Sequence, residues 1–236
     1  MTRKNDRILC ISDMHIPYQH QDAYAFLKAL KKKYKPTRVI CGGDEIDHHA
    51  MSFHDSDPDL PAAGDELLKA IEALQPLYKL FPVMDLLESN HGSMIYRKGK
   101  HHGIPRKYLR TYGEVLGAPK GWRWHEDLIL NLPGGNECYF HHGLVKDVFK
   151  VVALRGMCVV QFHFHTEFRI VYIGNPNALL WGMSSGCLID RQALAFAYDN
   201  LNLGRPVIGT SIILNGQPKL LPMLLNKHHR WTGFVP

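Results

Sequence analysis

The residues that could do chemistry are histidines, aspartates and one asparagine grouped at short spacing. Histidine accounts for 15 of the 236 residues, and neutral imidazole is the commonest metal ligand in proteins. Five short stretches carry the candidates: Asp13-Met14-His15, Asp44-Glu45-Ile46-Asp47, Asn90-His91, His141-His142-Gly143 and His163-Phe164-His165. We therefore expect metal chemistry at a site where several parts of the chain meet.

The kinds of side chain narrow the choice of metal. A mixture of carboxylate, carboxamide and imidazole suits Mn²⁺, Fe²⁺ or Zn²⁺, whereas an all-oxygen set would suit Ca²⁺ or Mg²⁺ and a thiolate set would indicate structural Zn²⁺. A carboxylate shared by two ions about 3.5–4 Å apart is an arrangement used to hydrolyse phosphate esters.

Strands must bring these stretches together. Apolar patterns predict strands at residues 8–12, 38–41 and 81–87, separated by amphipathic helices at 23–34 and 60–80. One polar stretch follows each strand, and ligand sites in open α/β sheets lie at the carboxyl ends of the strands. The second half is rich in apolar β-type runs and predicts an antiparallel or mixed sheet, with a hairpin turn at Asn215-Gly216. We expect one domain over residues 1–236, built from two packed sheets.

Composition bounds the class of protein. The net charge of +6 permits an anionic partner, and 45% hydrophobic residues can supply a substantial core. The five scattered cysteines predict buried thiols in a reducing compartment, and no stretch approaches the roughly 18 apolar residues of a membrane span. We expect a cytoplasmic protein with no membrane partner.

The five stretches, in their order along the chain, resemble the motifs of the calcineurin-like metallophosphoesterases, in particular a small phage- or bacterial-type member. The resemblance runs from Asp13 to His165, about two thirds of the chain. It implies a four-layer αββα sandwich, in which two mixed β-sheets are flanked by helices. It also implies two divalent ions, Mn²⁺ first, with Ni²⁺, Zn²⁺ or Fe²⁺ as alternatives.

The resemblance implies a role for each motif residue. One metal would be held by Asp13, His15, Asp44 and His165, and the other by Asp44, Asn90, His142 and His163. Asp44 would bridge the metals, and His91 would act on the scissile phosphate or its leaving oxygen. Either His141 or His142 could be the ligand; His142 is preferred because it immediately precedes Gly143.

The activity implied is hydrolysis of phosphate esters by a water that two metals activate. We expect a phosphodiesterase or nuclease, or a nucleotide phosphoesterase. The alternatives are a phosphomonoesterase acting on phosphoproteins and a catalytically inactive metal-binding scaffold on the same fold. The oligomeric state stays open, as does whether residues 179–181 complete the sandwich or form a dimer surface.

Two departures from the family pattern bear on the site. The acidic residue that often follows the catalytic histidine is replaced by Gly92, so Asp47 is a candidate to orient a histidine instead. The alternative for Asp47 is a carboxylate at a helix N-terminus. The bulky Phe162 stands where glycine is common, just before His163.

A basic segment at residues 97–110 begins six residues after His91. It carries six lysines and arginines, and we expect Arg97, Lys98 and Arg106 to contact phosphate or nucleic acid, with a solvated helical face as the alternative. Three tyrosines lie in or beside this segment; packing onto the domain is expected for them, with stacking on bases as the alternative: Tyr96, Tyr108 and Tyr112. Three histidines near the second motif are expected to be solvated: His48, His49 and His54.

Overall fold

A computed structural model describes residues 6–52, 57–174, 176–196 and 203–236. Eleven strands and five helices lie in these ranges. The strands are β1 (Arg7–Ile11), β2 (Arg38–Cys41), β3 (Val83–Leu87), β4 (Gly121–His125), β5 (Leu128–Asn131), β6 (Glu137–His141), β7 (Cys158–Gln161), β8 (Arg169–Gly174), β9 (Leu179–Ser184), β10 (Gly209–Leu214) and β11 (Gln217–Pro222). The helices are α1 (Ala23–Tyr34), α2 (Ala63–Leu80), α3 (Met94–His101), α4 (Tyr112–Leu116) and α5 (Val148–Arg155).

The strands form two mixed sheets. The first has the order β11-β10-β1-β2-β3-β4 and the second the order β5-β6-β7-β9-β8. In the first sheet β1, β2, β3 and β4 are parallel, and β10 pairs antiparallel with both β1 and β11. In the second sheet β6, β7 and β9 are parallel, with β5 and β8 antiparallel at its edges.

Two hydrophobic cores hold the layers together. Buried residues of α1 and α2 pack on one face of the first sheet, and the opposite face packs against the second sheet. Helix α5 contributes Val148, Val151 and Val152 to the second core, on the far side of the second sheet. The predicted αββα sandwich of two mixed sheets with flanking helices is confirmed.

Several smaller expectations are also settled. Residues 179–181 lie in β9 between β7 and β8, so they complete the sandwich, and Trp181 is buried. Asn215 and Gly216 form the β10–β11 turn with φ of 50° and 82°, as the hairpin signal indicates. All five cysteines are buried and free. Within the described ranges, every helix is too short or too polar to cross a bilayer.

Candidate metal centre

The predicted ligands meet where the parallel strands end. The loop after β1 carries Asp13 and His15, and the loop after β2 carries Asp44. These two loops continue the parallel pairing of the strands, because the N–H groups of Asp13 and His15 donate to the carbonyls of Gly43 and Asp44 at 3.1 and 3.0 Å. The loops after β3, β6 and β7 supply the remaining candidates: Asn90, His91, His142, His163 and His165.

Three overlapping groups of side chains have ligand atoms within 4.8 Å of one another: Asp13 with His15 and His165, His15 with Asp44 and His91, and Asp44 with His142 and His163. Oδ2 of Asp44 lies 3.6 Å from Nε2 of His15 and 3.2 Å from Nε2 of His142, so one carboxylate oxygen joins two groups. Oδ1 of Asn90 lies 2.7 Å from Nε2 of His142. All seven predicted ligands are therefore brought together.

The histidine hydrogen bonds leave lone pairs facing the cluster. Nδ1 of His15 contacts Oδ1 of Asp47 at 2.5 Å, and Nδ1 of His142 contacts the carbonyl of Gly42 at 2.7 Å. If each Nδ1 carries the proton, each Nε2 is an acceptor, which is the tautomer that a metal ligand needs. Nε2 of His15 is buried without a hydrogen-bond partner. This unsatisfied nitrogen beside a carboxylate fits a divalent ion.

The carboxylates at the centre are buried and ionised. Asp13 and Asp44 are each 1% exposed. Burial alone raises the pKa of Asp44, but the charges of His142 and His91 outweigh it and hold that pKa well below its ordinary value. Burial likewise lowers the pKa of His142, but the Asp44 carboxylate overcomes this and raises the pKa to about 9. Without metal, protons on histidine balance the aspartates, and bound cations would take their place.

Four residues of the cluster have backbone angles that favour glycine. Asp13, His15, Asp44 and His163 have φ of 50°, 47°, 50° and 71°. Such left-handed conformations cost non-glycine residues about 1–3 kcal/mol each and concentrate at functional sites. The surrounding loops therefore hold these side chains in place against a local preference for other conformations.

Asp47 and His91 make the contacts expected of an orienting pair, although mainly through the backbone. Nδ1 of His91 contacts the carbonyl oxygen of Asp47, whereas the Asp47 carboxylate lies 3.8 Å away. The carboxylate itself contacts His15. Asp47 thus lies against both histidines.

The two candidate histidines of the fourth motif differ clearly in position. His142 contacts Asp44 and Asn90, as described above. His141 lies in β6, with its ring stacked on Tyr139 at a centroid distance of 5.1 Å. Both ring nitrogens of His141 are buried without partners, and burial lowers its pKa to about 4. The structure brings His142, and not His141, into the cluster.

Some residues beside the site were not singled out from the sequence. Oγ of Ser89 accepts the N–H groups of Asp44 and Gly92, each at 3.0 Å. Glu66 of α2 accepts the N–H groups of His49 and Ala50 at 2.8 and 3.1 Å, which fixes the loop after Asp47.

Two expectations for neighbouring residues are wrong. His48 is 2% exposed rather than solvated, because its loop folds inward with its ring 6.1 Å from that of Tyr112. Tyr108 does not pack onto the domain but is 73% exposed, because it lies on a short surface 3₁₀ turn (Arg106–Tyr108). His49 is half-buried and His54 lies outside the described residues.

A serine nucleophile has no support from the structure. The string Gly182-Met183-Ser184-Ser185-Gly186 matches a pattern found around nucleophilic serines. However, Ser184 is the last residue of β9, is 1% exposed, and accepts a hydrogen bond from Gln161 at 3.1 Å. It has the contacts of a core residue.

The basic residues expected to meet substrate lie beside the third motif. Nη1 of Arg97 donates to the carbonyl of Asn90 at 3.5 Å, and Nζ of Lys98 donates to the carbonyl of Ser52 at 3.2 Å. Arg106 lies 3.7 Å from Glu88, two residues before Asn90. All three are adjacent to the loops that carry the cluster.

The family model that matches the chain agrees with this geometry. A family model described as calcineurin-like phosphoesterase matches residues 6–169. No curated protein sequence matches the chain significantly. Vacuolar Protein Sorting 29 from Cryptosporidium parvum is similar in structure, with a TM-score of 0.50 at 13% identity, covering 99% of this chain and 96% of that one. YfcE, a phosphoesterase from E. coli, gives a TM-score of 0.47 at 11% identity, covering 96% and 97%. The first of these likenesses supports the shared fold alone.

Proposed function

The chain belongs to the calcineurin-like phosphoesterase family, and from that premise we propose that it is a binuclear, divalent-metal-dependent phosphoesterase. Its substrate is a phosphodiester, in nucleic acid or in a nucleotide. The observation that carries this proposal is the single Asp44 oxygen in reach of both His15 and His142. A carboxylate so placed can bridge two ions.

The residues present could hold two divalent ions such as Mn²⁺. Asp13, His15 and His165 would hold one together with Asp44, which would also serve the second with Asn90, His142 and His163. When bound, two such ions activate a water for attack on phosphorus and neutralise the phosphoryl oxygens. The mixed imidazole and carboxylate set suits Mn²⁺, Fe²⁺ and Zn²⁺, and Mn²⁺ is proposed first because the family resemblance implies it.

The chain's own residues supply the rest of the mechanism. Asp47 fixes His15 through Nδ1, which keeps Nε2 available as a ligand atom. The contact with the Asp47 carbonyl fixes Nδ1 of His91, so its Nε2 is available toward the phosphate. With Nδ1 held in this way, His91 would act on the leaving oxygen in its imidazolium form by donating the proton on Nε2, and its side chain, 19% exposed, is open to the substrate.

The test is Asp44→Asn, with bis-p-nitrophenyl phosphate as the diester and p-nitrophenyl phosphate as the monoester. We expect the wild type to hydrolyse the diester with Mn²⁺, Ni²⁺ or Zn²⁺ and to lose activity on chelation. D44N should lose at least about 100-fold in kcat while its circular dichroism spectrum stays native. The exposed Asp59→Asn is the matched control and should retain full activity.

Four results would contradict the proposal. Wild-type turnover by D44N would exclude a bridging role for Asp44. Full activity after exhaustive chelation would exclude a metal mechanism. Metal bound at the site with no hydrolysis of either ester would favour the inactive scaffold, and a strong preference for the monoester would favour a phosphomonoesterase.

A further inference from the structure

The stretch of chain after the third motif carries basic residues and no acidic ones. No aspartate or glutamate occurs between Glu88 and Glu114, whereas six of the chain's 28 lysines and arginines do: Arg97, Lys98, Lys100, Arg106, Lys107 and Arg110. The structure places the first three on α3 and the next two on the 3₁₀ turn that follows it, and Arg110 comes two residues after that turn. We call residues 94–110 the basic arm.

The basic arm folds back beside the metal centre. Helix α3 begins four residues after Asn90, and the guanidinium of Arg97 reaches the Asn90 carbonyl. Leu109 packs near Gly99 of α3, which returns the chain toward Glu88 and allows the loose contact of that residue with Arg106. Arg97 and Arg106 therefore lie beside the loop that carries Asn90.

Aromatic rings alternate with the cations on this surface. The guanidinium of Arg106 lies 5.0 Å from the centre of the Tyr96 ring, and Nζ of Lys107 lies 5.5 Å from that of Tyr108. Tyr108 is 73% exposed, so the fold buries little of its ring. Exposed rings among cations are how proteins hold unpaired bases, by stacking, while the cations follow the phosphates.

We propose that the basic arm binds single-stranded nucleic acid, with one unpaired base stacked on Tyr108 and the adjoining phosphates on Arg106 and Lys107. This inference rests on the proposed function and names its substrate class. A duplex would fit less well, because its bases are already stacked and paired. An acidic phosphopeptide would pair with the cations but would not need the exposed Tyr108 ring for stacking.

The experiment measures binding of a fluorescein-labelled single strand of about 12 nucleotides and of the same sequence as a duplex. Anisotropy is read on the full chain in chelator, so that the strand is not cut. Tyr108→Ala should weaken single-strand binding about tenfold, whereas Tyr108→Phe, which keeps the ring, should stay within about twofold of wild type. The matched control is Tyr172→Ala, since Tyr172 is 51% exposed on β8 of the other sheet; it should bind as wild type.

Salt dependence adds a second readout. Lys107→Gln should reduce the slope of log affinity against log salt by about one, as expected for the loss of one phosphate contact. Unchanged single-strand affinity in Y108A, tighter binding of the duplex than of the strand, or preference for a phosphopeptide of equal charge would each overturn the inference.

Hydrolysis of the small diester separates the two proposals. If the wild type cleaves bis-p-nitrophenyl phosphate but Y108A binds the strand as tightly as wild type, the inference about the basic arm fails and the proposed function stands. If no metal supports diester cleavage, the proposed function fails, whatever the strand affinities are.

Discussion

Ser89 connects two of the metal loops through one hydroxyl oxygen. That oxygen accepts the backbone N–H of Asp44 after β2 and that of Gly92 after β3. Ser89 is 7% exposed, so water cannot readily replace it as an acceptor. Its hydroxyl therefore fixes the distance between the Asp44 loop and the loop that carries Asn90 and His91.

Ser89→Ala should loosen both loops, because two buried N–H groups lose their acceptor at a cost of about 1–3 kcal/mol each. We expect faster hydrogen exchange at the amides of Asp44 and Gly92 in the metal-free protein, and Mn²⁺ affinity lowered about tenfold. Ser211→Ala, in the buried Ser211–Ser185 pair on β10, is the control and should leave those amides unchanged. Wild-type exchange at both amides in S89A would show that the hydroxyl holds neither loop.

The sequence could assign a residue to the site only where that residue belongs to a motif of fixed spacing. The sequence distinguished Asp44 and His165 from surface residues because each belongs to an ordered series. It could not exclude His141, since adjacent residues on a strand point to opposite faces and the sequence does not say which face meets the metals. Nor could it predict the exposed ring of Tyr108, because the tertiary fold decides which side of a 3₁₀ turn meets solvent.

At the level of the secondary-structure elements, Phe162 and Gly42 compensate each other. The ring of Phe162, just after β7, occupies the space beside Gly42, just after β2. A Cβ at residue 42 would lie 2.1 Å from Cγ of Phe162, and Phe162 is 1% exposed. The carbonyl of Gly42 also holds His142. The bulky residue before the His-x-His motif is thus accommodated by a glycine in another loop.

Gly42→Ala should therefore destabilise the protein by about 2 kcal/mol or more, as overpacking of a close-packed core does. The free energy of unfolding in denaturant measures the effect. Gly64→Ala in α2 is the matched control, since nothing lies within 4 Å of its added Cβ, and helix propensity predicts a gain of up to about 1 kcal/mol. Equal stability of the two variants would mean that the ring of Phe162 moves aside without cost.

Among the elements that the sequence did not predict, β4 and α5 were missed for identifiable reasons. Strand β4 was not predicted, although Trp122 and Trp124 alternate with Arg123 at the period of a strand. Helix α5 has few polar residues and three valines, which favour strand by propensity. The residues at its two ends predict a helix better than its interior does. Asp147 caps the first turn, and Gly156 ends the helix in the left-handed conformation.

For the molecule as a whole, Asp22 connects the start of α1 to the C-terminal segment through hydrogen bonds. Its carboxylate accepts two hydrogen bonds from Arg230, at 2.8 and 2.6 Å, and one from the N–H of Trp231 at 3.0 Å. The hydrogen bonds from Arg230 lower the pKa of Asp22 to about 2 against the opposing effect of burial. The ring of Trp231 in turn packs on Phe26 of α1.

Asp22→Asn should remove a pH-dependent part of the stability. Because the folded pKa lies below the value of about 3.9 in unfolded chains, the ionised carboxylate stabilises the fold above pH 4, and this contribution disappears as the pH falls toward 2. We expect the free energy of unfolding of wild type to exceed that of D22N by about 1–2 kcal/mol at pH 7 and by almost nothing at pH 2. The value at pH 7 is kept low because the partner, Arg230, is exposed to solvent. Asp59→Asn should follow wild type throughout. A D22N deficit that is the same at both pH values would show that the charge is not its source.

At this scale the sequence predicted the fold well, because the strand-helix alternation and the polar residues after each strand agree with each other. The two-sheet arrangement follows from apolar runs that must be buried on both faces. What the sequence could not provide is the order of strands within each sheet, which depends on packing between distant segments. The sequence predicted that the five motif stretches meet at one site, but it did not place β6 and β7 beside the ends of β1, β2 and β3.

The most direct test of a bridged metal pair is the electron paramagnetic resonance spectrum of the chain loaded with two equivalents of Mn²⁺. Two ions about 3.5–4 Å apart and sharing the Asp44 carboxylate should be magnetically coupled. We expect the wild type to give the spectrum of a coupled pair, and we expect the coupling to be absent from the spectrum of D44N. A spectrum of isolated Mn²⁺ at one ion per wild-type chain would contradict a binuclear centre.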